Sequence, residues 1–492
     1  MIGSHVKWRG QWNSLLGKWT DKNDYPMDPR NLPGLGPYYT AQTLQDQGGT
    51  YLQAISSWPD LGPNGWHAVQ ATGANQPLFL PWSGENYLHL PGVAGNYIST
   101  PSSAAINAVL TDFTMTYRFG TFTAASGAVQ CLLTKRNAAG TAALTQWQAR
   151  LDATGELRLV VSNGTVTTFG GVSTTPLVVG AKWIKITFDA DNGAGGSTTR
   201  FYYSTSTSST RPTVWTQLGS AVTVASVLTA INATSIPVAF GALSDDGASQ
   251  RFSGQCYLAE FANGIDGAAV IALTPSLGNA NSTTVPDGVN SSVNWTVNRS
   301  AIGNCARIVS APAVLFDGTQ MFMTLPAGAL GFLRNASGAT MLATVSVSSF
   351  SEAREYFRFN NNAASSRALI RSLVTSGNIS VGGRRLDADA FAEVSQAGKA
   401  LNNAYVHGGR LDATNALAVN FLNGTKGTDT AWQTAGNFDN TDSSAIYLGG
   451  SSAGTFHAGT ITNIAAYNVS LTDAQTRGLS RFLGVQSNTG IV

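Results

Sequence analysis

Apolar side chains along this chain recur at every second position in short runs, and clusters of Gly, Asn, Ser and Asp separate the runs. In Trp183-Ile184-Lys185-Ile186-Thr187-Phe188 the pattern puts Ile184, Ile186 and Phe188 on one face, and Val345 and Val347 alternate with Thr344, Ser346 and Ser348 in the same way. A period of two predicts half-buried β-strands. Phe421-Leu422-Asn423-Gly424-Thr425 adds the Asn-Gly dipeptide of a tight hairpin, because both residues tolerate positive φ. Helix signals are confined to Ser102–Val109 and Thr472–Phe482, the latter with Asp473 in its first turn and Arg477 and Arg481 toward its end, as the helix dipole favours. The fold class expected is all-β.

The pattern repeats at the scale of a domain. Gly84-Glu85-Asn86-Tyr87-Leu88-His89-Leu90-Pro91 returns as Gly318-Thr319-Gln320-Met321-Phe322-Met323-Thr324-Leu325-Pro326, and Phe252–Phe261 is answered downstream by Phe456–Ala465. A repeat of opening and closing strands predicts two units, and 492 residues exceed what one core organises. The Asn-, Ser-, Thr- and Pro-rich stretch Thr274–Asn298 reads as the linker. The expected division is an arm over 1–39, a first sandwich over 40–277 and a second over 278–492. In the arm, Pro26, Pro29, Pro33 and Pro37 forbid a long helix or a central strand. Trp8, Arg9, Trp12 and Trp19 make it either a strap on the next domain or an attachment segment that docks on a partner.

Charge narrows the function classes. Charged residues are 11% of the chain and the net charge is +2, which supplies no field to draw nucleic acid. No apolar stretch is long enough to span a membrane, and Met1–Arg9 does not read as a secretory signal. Cys131 and Cys256 read as buried small hydrophobes, and three cysteines as scattered as these and Cys305 predict no disulfide.

Trp58-Pro59-Asp60-Leu61-Gly62-Pro63-Asn64-Gly65-Trp66, Val314-Leu315-Phe316-Asp317-Gly318, Phe201-Tyr202-Tyr203-Ser204 and the closing Tyr467–Gln475 resemble elements of the laminin-G-like or concanavalin A-like superfamily. The resemblance implies two antiparallel jelly-roll β-sandwiches, and it places the tryptophan-aspartate opening loop in the first unit alone. Paired domains of this kind behind a distinct arm also look like bacteriophage tail, baseplate or capsid-attached fibre and adhesin proteins, an analogy of context and not of fold. What that likeness implies is a non-enzymatic, homo-oligomeric protein on the virion surface, made in the host cytoplasm, held to other virion proteins by its arm and binding host-surface glycans. A purely architectural decoration protein and a glycan hydrolase are the alternatives. Against hydrolysis, no strand carries the alternating acidic pair such enzymes use.

Sugar recognition pairs an aromatic platform with polar groups, which makes Trp66, Trp82 and Tyr97 in the expected first unit, and Trp432 with Asn437 and Asp439 in the second, the glycan-binding candidates. Asp60 and Asn64 begin a calcium ligand set, although calcium takes six to eight oxygens and a turn in which these side chains bond their own backbone is the competing reading. His5, His67, His89, His407 and His457 lack neighbours at metal-ligand spacing.

Overall fold

A computed structural model describes residues 26–487 apart from 168, 245–246, 281, 300–302, 361–365, 375–376, 398–399 and 452–453. The alternating runs form strands, and the strands form four antiparallel sheets, two of nine strands and two of eight. They build two jelly-roll sandwiches. One, the inserted sandwich, comprises Gly84–Ala301 and Cys305–Ser310; the other, the split sandwich, takes Met1–Ser83, Ile302–Asn304 and Ala311–Val492. The Trp8, Arg9, Trp12 and Trp19 of the expected attachment segment lie outside the described residues.

The two sandwiches have the same strand order. In the inserted sandwich one sheet runs Thr216–Gln217, Ser197–Ser204, Trp183–Asp189, Phe113–Phe122, Ser253–Asn263, Tyr87–Pro91, Arg307–Val309. Its counterpart in the split sandwich runs Thr425–Lys426, Leu417–Leu422, Ala404–Asp412, Gly338–Val347, Ala458–Tyr467, Ala313–Asp317, Leu78–Leu80. Facing sheets match in the same way: Tyr97–Thr100, Asn294–Asn298 and Thr284–Pro286 close one, and Met323–Thr324, Ala68–Val69 and Ser57–Trp58 close the other.

This order moves the boundary. Thr284–Pro286 and Asn294–Asn298 are strands of the inserted sandwich, not a linker into the next unit, and residues 40–83 are strands of the split sandwich, not the start of the first. Residues 26–39 of the expected arm are structural as well. Leu35–Thr40 pairs with Ala458–Tyr467, Met27 donates its N–H to Gly478 O at 3.0 Å, and Leu32 and Tyr38 are buried against the helix Asp473–Gln486. Pro37 sits in this strand because the strand is paired only with Ala458–Tyr467 and shifts register between Leu35 and Tyr38.

The repeat is real, and its opening half is displaced from the expected register. Leu90 pairs with Gly254 and Phe316 pairs with Gly459, so Leu88-His89-Leu90-Pro91-Gly92 corresponds to Val314-Leu315-Phe316-Asp317-Gly318. Gly84 therefore does not answer Gly318; Gly92 does. The closing glycines match as expected, at φ +154° and +146°, and a Cβ on Gly459 would lie 1.9 Å from Ser346 O.

Ile184, Ile186 and Phe188 point into the core, as the alternation predicts, but Trp183, Lys185 and Thr187 are also buried. The opposite face of this sheet is covered by the loop after Ser197–Ser204, from which Ser208 O accepts the Trp183 Nε1–H at 3.2 Å and Arg211 pairs with Glu260. In the split sandwich the corresponding face is covered by Asp473–Gln486, whose Leu479, Phe482 and Leu483 pack on Leu342, Val406 and Ala465. That helix starts at a capping box of Thr472 and Gln475. The Asn423-Gly424 hairpin forms with both residues at positive φ, 50° and 79°. Cys131 and Cys256 are buried, as their apolar neighbours suggest, and so is Cys305.

His407 lies in the split core, hydrogen-bonded through Nε2 to Asn420 Oδ1 at 3.2 Å and edge-on to Tyr356. Burial lowers its pKa to about 4, against an ordinary value of 6.5. The unfolded chain therefore binds a proton there that the folded chain refuses, so stability is full above about pH 6.5 and falls as the pH drops toward 4. On the order of 3 kcal/mol should be lost across that window. Comparing His407→Gln with the parent in urea melts at pH 7 and pH 4.5 checks this, and an equal acid loss in both proteins would refute it.

Candidate functional site

The loop joining strands Ser57–Trp58 and Ala68–Val69 is organised by Asp60. Its Oδ1 accepts the Tyr38 and Gly62 N–H groups at 2.7 and 2.8 Å, and its Oδ2 accepts the Trp66 N–H at 2.7 Å. His67 Nδ1 accepts the Asp60 N–H at 3.1 Å, and the Tyr39 hydroxyl donates to Trp66 O. A buried carboxylate bonded to three backbone donors is a loop staple, the turn reading that competed with calcium at Asp60 and Asn64. Asn64 is exposed, and no group of three or more His, Cys, Asp or Glu able to hold a metal occurs among the described residues.

Held by its own backbone, Trp66 keeps its ring half-exposed. The indole meets Phe332 edge-on, with centroids 5.7 Å apart at 77°, and Gly328 lies beside it, where an added Cβ would make ordinary contact with Trp66 Nε1 at 3.5 Å. These residues line a pocket of about 400 Å³ with Asn64, Arg334 and Asn468. Arg334 Nε donates to Asp442 Oδ1 at 3.0 Å, so the guanidinium enters already neutralised. Asn468 is fixed by its N–H to Gly34 O at 3.0 Å. The result is an aromatic wall, two amides and one ion pair around a glycine-lined opening. Such a site can stack on the apolar face of a sugar ring and exchange hydrogen bonds with its hydroxyls.

Of the candidates from sequence, Trp66 and Asn64 come together here and the rest do not. Trp432 is core, 2% exposed, with Nε1 donating to Ala392 O, so it offers no platform beside Asn437 and Asp439. Asp439 instead accepts the Asp387 N–H, and Asn437 is exposed. Trp82 is half-buried, its backbone N–H and C=O both engaged by the Gln45 amide. Tyr97 belongs to the inserted sandwich, while Trp66 and Trp82 belong to the split one, which corrects their common assignment to a first unit. Phe332, Arg334 and Asn468 carried no signal in the sequence, being more than 260 residues from Trp66.

The inserted sandwich has an aspartate at the matching place. Asp287 occupies the place of Asp60, but Trp295 is fully buried and donates its Nε1–H to Asp287 Oδ2 at 2.9 Å. Trp295 pairs with Val285 inside the strand Asn294–Asn298, the place Ala68 takes opposite Trp58, so the loop residue Trp66 has no counterpart in it.

No protein-family model and no curated protein sequence matches this chain. Among solved structures, it is similar to mouse laminin α1 domains LG4-5, at 11% identity over 80% of this chain and 92% of that one, TM-score 0.26. It is also similar to the CBM40 domain of the Ruminococcus gnavus IT-sialidase bound to α2,3-sialyllactose, at 16% identity over 30% of this chain and 83% of that one, TM-score 0.26. Domain 4 of the GH43 arabinanase AbnA from Geobacillus stearothermophilus, in complex with arabinotriose, is 15% identical over 34% of this chain and 76% of that one, TM-score 0.27. The fold assignment stands on the strand order itself.

Proposed function

We propose that this is a non-catalytic glycan-binding protein that takes a saccharide into the Trp66 pocket, displayed on a phage particle and held there through residues 1–25. The observation that carries the binding reading is the outward indole of Trp66, braced on Phe332 and Gly328 and ringed by Asn64, Asn468 and Arg334. A half-exposed tryptophan in a neutral, amide-lined opening has an apolar face to cover and polar neighbours unsuited to an apolar partner. The particle reading rests on composition, three tryptophans among basic residues in the first 25 positions, and immunogold labelling of purified phage particles tests it.

A glycan array probed with the whole protein and with Trp66→Ala tests the binding reading. Removing the ring should weaken any glycan bound by about tenfold or more, the usual cost of losing an aromatic anchor. Its melting temperature should stay close to the parent's, since the ring is only half-buried. A parent protein that binds no glycan, or a variant that binds equally well, would overturn the proposal.

A further inference from the structure

The inserted sandwich has an open groove of about 520 Å³ between the strand end Pro91–Gly92, the turn Ser126–Gln130 and the segment Ala248–Ser253. Its polar floor is largely satisfied from within. Gln130 Nε2 donates to Thr123 O at 2.7 Å, its Oε1 accepts the Ser253 N–H at 3.2 Å, and the Ser126 hydroxyl donates to Ala128 O at 3.0 Å. Arg251 is the exception. It is exposed on the groove and makes no ion pair or hydrogen bond with any described residue, and no described carboxylate lines the groove. Arg334 at the Trp66 pocket, by contrast, is paired with Asp442.

The position of Arg251 is set from both sides. Gln250 is held at φ +55°, a conformation that costs a non-glycine residue free energy. Its Oε1 accepts the Gln148 Nε2–H at 2.6 Å, and its carbonyl accepts the Cys131 N–H at 2.6 Å. Phe252 is fully buried on the other side, its N–H bonded to Gly241 O at 2.9 Å. A strained residue and a core anchor thus present one unpaired guanidinium above a neutral, hydroxyl- and amide-lined floor.

We infer that this groove binds a carboxylate-bearing saccharide of the uronic acid class, with Arg251 gripping the carboxylate. A guanidinium's planar fork matches a carboxylate through two parallel hydrogen bonds. One positive charge in a neutral groove balances one negative charge, where a phosphate dianion would call for more. Ser126 and Ser253 supply neutral polar groups for ring hydroxyls. The inference rests on the reading of the protein as a glycan binder and adds a second site with a different preference.

The test is calorimetric titration of the full chain with oligogalacturonate and with the same oligomer methyl-esterified, in which each carboxylate is replaced by a neutral ester. The parent should bind the acidic oligomer about tenfold or more tighter than the ester, with affinity falling as salt is raised. Arg251→Gln should lose that difference, Arg251→Lys should recover only part of it, and Trp66→Ala should keep it. Unchanged binding in Arg251→Gln, or loss in Trp66→Ala alone, would overturn the assignment. Neutral glycans captured on the array without any binding of oligogalacturonate would refute this inference while leaving the Trp66 proposal standing.

Discussion

Deleting residues 1–83 should abolish cooperative folding of 311–492 while the inserted sandwich stays folded. Leu35–Leu80 gives the split sandwich the buried Tyr38, Tyr39, Leu44, Ile55, Trp58, Phe79 and Leu80, together with the strands Leu35–Thr40, Ser57–Trp58, Ala68–Val69 and Leu78–Leu80. Each such side chain contributes roughly 1.5–3 kcal/mol of burial, so together they match or exceed the 5–15 kcal/mol by which a typical domain is stable. Limited proteolysis with mass mapping is the direct check. Cleavage should spread through 311–492 and spare 84–310. A truncated protein that resists protease throughout the C-terminal half would show that the N-terminal strands are dispensable.

The same topology rules out an obvious cut. Severing the chain within Ser276–Val289, where the composition suggests a linker, detaches Asn294–Asn298 and Arg307–Val309 from the inserted sandwich. Severing it after Ser310 leaves the C-terminal piece without Leu35–Leu80. Because one sandwich is interrupted by the other, no single cut yields two complete sandwiches.

What the sequence shows is local. Ile184, Ile186 and Phe188 reveal a strand, Asn423-Gly424 a hairpin and Asp473 with Arg477 and Arg481 a helix, because each rests on the geometry of nearby residues. Pairing between distant strands leaves no such mark. Leu78–Leu80 lies against Ala313–Leu315, and nothing in either run names the other. The opening repeat was legible as a repeat and misplaced by the eight residues from Gly84 to Gly92, since turn glycines followed by alternating strands recur too often to fix a register. At the candidate site, the Trp66 loop was visible, yet the fates of its tryptophan and of Trp432 were not. Whether an aromatic side chain faces core or solvent depends on which distant groups meet it and its loop, as Ala392 O meets the Trp432 indole and Asp60 the Trp66 backbone, and that is a tertiary fact.

That dependence yields the second large effect expected, at the two matching aspartates. The Asp287 carboxylate accepts the Ala272 N–H and Trp295 Nε1–H on one oxygen and the Val289 and Asn290 N–H groups on the other, all at 2.9 Å. Asp60 does the same for Tyr38, Gly62 and Trp66. Tyr38 and Ala272 hold corresponding places, pairing with Ala465 and Glu260, each six residues after its closing glycine. In both sandwiches one carboxylate therefore ties a loop to the strand beside the closing strand. Removing it orphans several donors, each costing about 1–3 kcal/mol where buried. Asp287→Ala should destabilise the inserted sandwich by roughly 3–5 kcal/mol, and Asp60→Ala the split sandwich by somewhat less, since it frees three donors and not four. Asparagine should rescue little, because its amide NH₂ would face donors. The two variants separate in function: Asp60→Ala releases the Trp66 backbone and should weaken glycan capture at that pocket, whereas Asp287→Ala should leave it intact. Urea melts read alongside glycan binding test both halves, and losses under about 0.5 kcal/mol, the range of ordinary surface substitutions, would sink the idea that these carboxylates staple the loops.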